Sequence, residues 1–100
     1  MFEKYTMLGL STSHITARTA ELLRENAIND IIAYTKADNG MLFGWFIYVP
    51  EYVEDENSEI WTDAPQELRK LLAFARKHGA DWLMLDEDAA VSDELPVFEW

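Results

Sequence analysis

Apolar residues recur along the chain with two alternating periods, and these periods predict four strands and two helices. A period near two indicates a strand, because successive side chains of a strand point to opposite faces, and a period near 3.6 indicates a helix. The predicted strands cover residues 4–10, 31–36, 41–49 and 82–85. The predicted helices run from Thr16 to about Asn26, and from a cap at Thr62 or Asp63 to the residues before Gly79.

Each predicted helix carries a single apolar stripe, which indicates that each is buried along one side. The stripe of the first helix consists of Thr16, Ala20, Leu23 and Ala27. The stripe of the second helix consists of Leu68, Leu71, Leu72 and Ala75. Pro65 is tolerated in the second helix because the first turn of a helix leaves its backbone N–H groups unpaired.

The third predicted strand is apolar on both faces. Asn39-Gly40 precedes it, and this dipeptide is the strongest short signal for a hairpin between two antiparallel strands. Strict alternation assigns Met41, Phe43, Trp45, Ile47 and Val49 to one face, and Leu42, Phe46 and Tyr48 to the other. Such a strand belongs at the centre of a sheet that is covered on both faces.

The resulting order of elements predicts an α+β fold in a single domain of residues 1–100. The sequence β-α-β-β-α-β suits a ferredoxin-like sandwich, with both helices on one face of an antiparallel sheet. Residues 95–100 form a tail that is expected to add a short edge strand. A mixed α/β arrangement with different strand pairing is the main alternative. The second sheet face would be covered by the acidic loop 51–63, by the tail or by a second subunit, so the chain is expected to be a monomer or a homodimer.

Composition narrows the setting and the chemistry. The chain has no cysteine, so it forms no disulfide and no thiolate metal site, and its two histidines lie too far apart for a metal motif. No apolar segment approaches the roughly 20 residues that cross a membrane. The beginning, Met1 to Lys4, lacks the pattern of a signal peptide. These features predict a cytoplasmic protein without a cofactor.

The charge is strongly asymmetric. The formal net charge is −11, and 14 of the 19 acidic residues lie in residues 51–100. An acidic surface repels nucleic acid and attracts basic surfaces, so the expected partner is a protein with a basic DNA-binding groove. Solubility alone is the simpler explanation of the same charge. The candidate partner-binding residues are Glu51, Glu54, Asp55, Glu56 and Glu59 in a first cluster, and Asp86, Glu87, Asp88, Asp93 and Glu94 in a second.

Two groups of polar residues could carry chemistry. Ser11 to His14 lie where a strand passes into a helix, so Ser13 and His14 could form a nucleophile–base pair, with Asp86 as a third member. The structural alternative is that these hydroxyls satisfy free helix N–H groups while His14 bonds the backbone. The acids of the second cluster could bind Ca²⁺ or Mg²⁺, but the loop lacks the glycine and the spacing of an EF-hand, and a solvated acidic loop is more common.

The four tryptophans, Trp45, Trp61, Trp82 and Trp100, are numerous for a chain of this length. Burial in the core or coverage of the sheet explains most of them. Aromatic residues on an open sheet can also stack on the bases of RNA. The net charge argues against nucleic-acid binding, because contacts to phosphate supply most of the nonspecific affinity.

Three segments resemble the DUF5983 family. They are LSTSHITARTAELL from Leu10 to Leu23, GWFIYVP from Gly44 to Pro50, and DWLMLDEDAAVSDELPVFEW from Asp81 to Trp100. This resemblance covers most of the chain and implies an uncharacterised small protein associated with plasmids and other mobile elements. Such elements carry genes that counter host restriction and CRISPR defence, and small acidic anti-defence proteins often imitate the charge of DNA.

Charge and resemblance together predict a non-enzymatic anti-defence protein of the anti-CRISPR kind, acting in the host cell cytoplasm. Its two acidic clusters would form one continuous surface that occupies the DNA channel of a Cas or restriction subunit. One alternative is a regulatory or assembly module that binds another protein through an apolar sheet face. Another is a small hydrolase-type enzyme centred on Ser13 and His14.

Overall fold

The computed structural model describes residues 1–29, 31–50 and 64–99. Within these ranges the chain forms four strands, two α-helices and one short 3₁₀ turn. The strands are β1 (Met7–Ser11), β2 (Ala33–Asp38), β3 (Met41–Tyr48) and β4 (Trp82–Asp86). The helices are α1 (Ala17–Arg24) and α2 (Gln66–Lys77), and the 3₁₀ turn covers Thr12–His14 between β1 and α1.

The four strands form one mixed sheet in the order β1-β4-β3-β2. β3 runs antiparallel to both of its neighbours, whereas β1 runs parallel to β4, with Leu10 opposite Leu85. The α+β class is therefore confirmed, the purely antiparallel sheet is wrong, and the ferredoxin-like order is not confirmed. The physical reason is that alternation of apolar residues predicts where strands occur, but not which strands become neighbours.

Local signals place the ends of the helices. The Thr16 hydroxyl accepts a hydrogen bond from the Thr19 N–H at 3.2 Å, which confirms the predicted cap of α1. Gly79 ends α2 with a φ of 77°, as expected of a glycine at this position. The predicted cap of α2 at Thr62 or Asp63 is wrong, because the helix begins at Gln66 with Pro65 in the cap position. Thr62 and Asp63 themselves lie outside the described residues.

The β2–β3 hairpin contains the predicted turn and an unpredicted bulge. Asn39 and Gly40 both have positive φ, at 52° and 81°, as a tight hairpin turn between twisted strands requires. Lys36 pairs with Gly44 but the next residue pairs with Leu42, so β3 carries one extra residue. The alternation slips there, and Leu42 packs against the same core as Trp45. The predicted opposite faces of these two residues are therefore wrong.

One face of the sheet and both helices enclose the core. Its fully buried members from the sheet include Ile47, Leu83 and Leu85, and those from α2 include Leu68 and Leu72. Ala20 and Leu23 of α1 join the same cluster, so both helices cover the same sheet face, as predicted. Of the remaining predicted α1 stripe, Thr16 is half-buried and Ala27 is exposed.

Gly44 of β3 lies directly against the backbone of β4 at Leu85. A Cβ added to Gly44 would stand 1.7 Å from the Leu85 carbonyl oxygen, which no side chain can do. This position therefore fixes the pairing of the two central strands.

The C-terminal tail does not form the predicted edge strand within its described residues, which end at Glu99. It instead crosses the junction between β1 and α1. The Phe98 N–H donates to the Ser13 carbonyl at 2.8 Å, and Leu95 is buried in the core. Earlier in this segment, the Ala90 carbonyl accepts from the Ser11 N–H at 3.0 Å. Pro96 has no N–H to offer a strand ladder, which favours this anchored path over an added strand.

None of the helices in the described ranges is long and apolar enough to cross a membrane.

Candidate functional site

The sheet face opposite the helices is apolar, and no described element covers it. Strand register places Met7 beside Trp82, Trp82 beside Tyr48, and Tyr34 beside Phe46 on this face. We call this surface the open face. Its members are Tyr5, Met7, Ile32, Tyr34, Phe46, Tyr48, Trp82 and Met84.

Several of these side chains are exposed to a degree unusual for large apolar groups. Tyr5 is 60% exposed, Tyr34 59%, Ile32 52% and Met7 48%. Together these four present roughly 400 Å² to solvent, given the 150–250 Å² that a large side chain offers. That is the size of the largest apolar patch on a typical monomer, and such patches are often functional.

A shallow hollow of about 390 Å³ lies within the open face, lined by Tyr5, Met7, Tyr34, Phe46 and Trp82. Trp82 is central to the aromatic packing there. Its ring meets the Tyr48 ring edge-on at 5.5 Å and lies 6.1 Å from the Tyr34 ring. Such tilted and edge-on arrangements are the ones that aromatic pairs prefer, so the rings pack favourably around the hollow.

A charged pair lies at the end of the open face where β4 terminates. Lys36 Nζ lies 2.5 Å from Asp86 Oδ2, and the Asp88 N–H donates to Asp86 Oδ1 at 2.8 Å. The hydrogen bond from Lys36, followed by that from the Asp88 backbone, holds the pKa of Asp86 below its usual range. Lys36 Nζ also lies 5.9 Å from the centre of the Phe43 ring.

The opposite end of the open face carries a second polar border. The Tyr5 hydroxyl donates to Glu3, and this bond raises the pKa of Tyr5. Asp81 accepts from the Thr6 N–H at 3.0 Å and lies 3.9 Å from an Arg76 nitrogen. The apolar surface is thus bordered at both ends by polar groups.

The structure locates only the second predicted acidic cluster. Asp86 is 8% exposed and already paired with Lys36, so it offers little free charge. Glu87, Asp88, Asp93 and Glu94 are exposed. The first cluster, Glu51, Glu54, Asp55, Glu56 and Glu59, lies outside the described residues.

His14 is fully buried, and both of its ring nitrogens bond the backbone of the C-terminal tail. Nδ1 lies 2.8 Å from the Pro96 carbonyl oxygen, and Nε2 accepts from the Ser92 N–H at 2.9 Å. The ring is therefore neutral, with its proton on Nδ1. This arrangement is the structural alternative that the sequence left open.

The serines beside His14 bond each other and the backbone. The Ser11 hydroxyl lies 2.9 Å from the Ser13 hydroxyl and accepts from the Ser13 N–H at 3.1 Å. Neither hydroxyl bonds His14, and Asp86 bonds Lys36. Ser13, His14 and Asp86 are therefore not joined into a nucleophile–base–acid chain.

A link between the two helices was missed by sequence reasoning. Glu67 Oε1 accepts from the Thr16 hydroxyl at 2.8 Å, from the Thr16 N–H at 3.3 Å and from the buried Thr19 hydroxyl. Burial raises the pKa of Glu67, but the hydroxyl bonds from Thr19 and Thr16 outweigh it and hold the pKa below its usual value. Nothing in the sequence joins residues 51 positions apart.

Sequence reasoning also missed the exposure of Ile32 and Tyr34 on the open face, although the alternation of residues around them indicated it. In the predicted strand 31–36, Ile32 and Tyr34 alternate with Ile31, Ala33 and Thr35, which places two large apolar groups on one face.

Metal chemistry has no support among the described residues, which contain no group of three potential ligands in position to hold an ion.

The geometry defines a class of protein: a small α+β domain with a mixed sheet, two helices on one face and a bare aromatic surface on the other. The family model described as "Family of unknown function (DUF5983) C-terminal domain" matches residues 7–100. The chain belongs to the DUF5983 family. No significant match was found among the curated proteins or among the solved structures.

Proposed function

We propose that the chain is a protein-binding domain that docks on a target protein through the open face. The observation that carries this proposal is the exposure of Tyr5, Met7, Ile32 and Tyr34 around the hollow at Trp82. Aromatic residues and methionine are enriched at protein interfaces, because they bury large areas at little cost in conformational freedom.

The net charge of the chain indicates which kind of target surface it would bind. With a net charge of −11, the domain attracts a surface that carries lysine and arginine. We therefore propose a target with an apolar patch bordered by basic residues. The apolar contact supplies most of the affinity, and the opposite charges speed the encounter.

A second candidate is imitation of DNA by an anti-defence protein. It is favoured by Glu87, Asp88, Asp93 and Glu94, which are exposed within a stretch that contains no lysine or arginine. Duplex DNA presents one charge per ~1.7 Å of axis, so a protein that imitates it must hold several carboxylates close together. The target would then be the DNA-binding subunit of a CRISPR or restriction complex.

Binding measurements on variants of each surface distinguish the two candidates. After capture of a target from host lysate, its Kd is measured for wild type, for Tyr34→Ser and for the quadruple neutral variant Glu87→Gln, Asp88→Asn, Asp93→Asn and Glu94→Gln. Docking through the open face predicts that Tyr34→Ser weakens binding at least about tenfold at both low and high salt. Thr35→Ser is the matched control, because Thr35 is exposed on the same strand and points to the other face.

DNA imitation predicts the reverse result. The quadruple variant would lose binding and lose competition with DNA, wild-type affinity would fall steeply with salt, and Tyr34→Ser would bind normally. That outcome would replace the open-face proposal with the second candidate.

A further inference from the structure

Among the described residues, the outer edge of β2 is an unpaired strand edge next to the open face. β2 is the last strand in the order β1-β4-β3-β2, and within the described ranges it pairs with β3 alone. At the other end of the sheet, the Ser11 N–H of β1 donates to the Ala90 carbonyl of the C-terminal segment. No corresponding bond reaches the outer side of β2 from the described residues.

The hydrogen-bond pattern identifies which backbone groups of β2 point outward. The Tyr48 N–H donates to the Ile32 carbonyl at 2.9 Å, so these two residues face each other as a bonded pair. Bonded pairs alternate along an antiparallel ladder, which makes Tyr34–Phe46 the next one. Ala33 and Thr35 therefore direct their N–H and C=O groups away from the sheet.

We infer that an extended segment of the partner protein adds to the edge of β2 as a fifth strand. This inference rests on the proposed docking through the open face and names how the docking occurs. The backbone of the segment would pair with the outward groups of Ala33 and Thr35. Every second side chain would then lie on the open face beside Tyr34 and Ile32, which supply an apolar surface.

The chemistry of the added strand follows from the surface that it extends. Side chains that lie beside Ile32 and Tyr34 must be apolar. Those between them stay in solvent, next to a domain of net charge −11, and are best matched by lysine or arginine. The occupant is thus a strand in which apolar and basic residues alternate. A second copy of this chain fits less well, because it brings another charge of −11 to the same edge.

Selection from a displayed library of random peptides, about as long as a typical strand, tests this inference with a defined probe. The selected peptides should alternate apolar and basic residues and contain no proline. Their affinity should fall at least about tenfold for Thr35→Pro, which removes an outward N–H but no ladder bond within the sheet. Thr35→Val changes the side chain but keeps the N–H, so a loss of affinity equal to that of Thr35→Pro would contradict the added strand. Far-UV circular dichroism confirms that each variant is folded.

N-methylation of the selected peptide gives the same test without altering the domain. Methyl groups should abolish binding when they replace the N–H hydrogens that point toward β2. Methyl groups on the alternate nitrogens, which point away from β2, should leave binding intact. Equal effects at both sets of positions exclude strand addition, even if Thr35→Pro fails to fold.

The other outcomes separate this inference from the function on which it rests. If Tyr34→Ser weakens binding and Thr35→Pro does not, docking on the open face stands and the added strand is refuted. If neither change weakens binding, both proposals fail. If no peptide is enriched, the basic partner strand is wrong. If sedimentation shows a dimer of the chain that Thr35→Pro dissociates, the basic partner strand is also wrong, and a second copy of the chain occupies the edge.

Discussion

The two faces of the sheet are built from the same strands and are both apolar, yet only one is buried. On β3 and β4, Ile47 and Leu83 are completely buried, whereas their neighbours Phe46 and Met84 are half-buried on the other side. Exposure increases further toward Tyr34 on β2. Apolar composition therefore does not decide which face stabilises the fold.

The helices decide it. Each helix has one apolar stripe, and both stripes pack against the same sheet face. No described helix is left to cover the other face. The closed face therefore forms the folding core, and the open face is the surface on which we propose that a target docks.

The largest expected effect tests this division directly. Leu83→Ala on the closed face should lower the free energy of unfolding by about 2–5 kcal/mol, because it leaves a cavity in the core. Tyr34→Ala on the open face should change it by less than about 0.5 kcal/mol. Urea denaturation measures both. Comparable losses for the two variants would show that the open face is also part of the folding core.

Polar groups on the closed side should also matter for stability. His14→Ala removes the ring that bonds Ser92 and Pro96, and should cost about 2 kcal/mol because those buried backbone groups lose their partner. Hydrogen exchange of the Ser92 amide should accelerate, while target binding by the folded protein stays unchanged. His78→Ala is the control, since that histidine is exposed at the end of α2. Loss of binding without loss of stability would instead place His14 in a functional site.

The link between the helices should have a smaller, pH-dependent effect. Glu67→Gln should lower stability by about 1 kcal/mol at neutral pH, because it weakens the bonds to Thr16 and Thr19. The pKa of Glu67 is depressed in the folded state, so its contribution is present above the unfolded pKa of about 4.3 and disappears as pH falls through the folded value. Urea midpoints at neutral and acidic pH measure it. Glu21→Gln, on the exposed side of α1, should show no such dependence.

The smallest effect concerns Trp45, an exception on the closed face. Its buried indole N–H has no hydrogen-bond partner among the residues that the structure describes. Trp45→Phe removes this unsatisfied group along with some buried area, and the two changes oppose each other. The free energy of unfolding should therefore change by no more than about 1 kcal/mol, which a comparison of melting temperatures measures. A much larger loss would mean that the indole N–H has a partner that stabilises the fold.

Local features of the fold were predictable, because neighbouring residues determine them. The cap at Thr16, the turn at Asn39-Gly40, the glycine that ends α2 and the buried stripe of α2 all follow from such short-range rules. The parallel pairing of β1 with β4 was not predictable, because strand order depends on packing between distant segments. The bulge that turns Leu42 toward the core was not predictable either, because a bulge is defined by the register between two paired strands and not by one strand alone.

The site was predictable only in part. An apolar second face followed from the alternation in β3, but the neutralisation of Asp86 by Lys36 depends on two strands separated by a third. The role of His14 was one of two stated alternatives, and only the path of the C-terminal tail distinguishes them. The surface formed by the two acidic clusters stays a prediction.

The position of Trp82 on the open face also makes its intrinsic fluorescence a measure of binding. Trp82 sits among Tyr34 and Tyr48 on the open face, whereas Trp45 is enclosed in the core. A protein that covers the hollow removes water from the Trp82 indole and shifts its emission to shorter wavelength, while the emission of Trp45 stays constant. In a variant that keeps Trp82 as its single tryptophan, the colour of the emitted light therefore reads out occupancy of the open face without any attached dye.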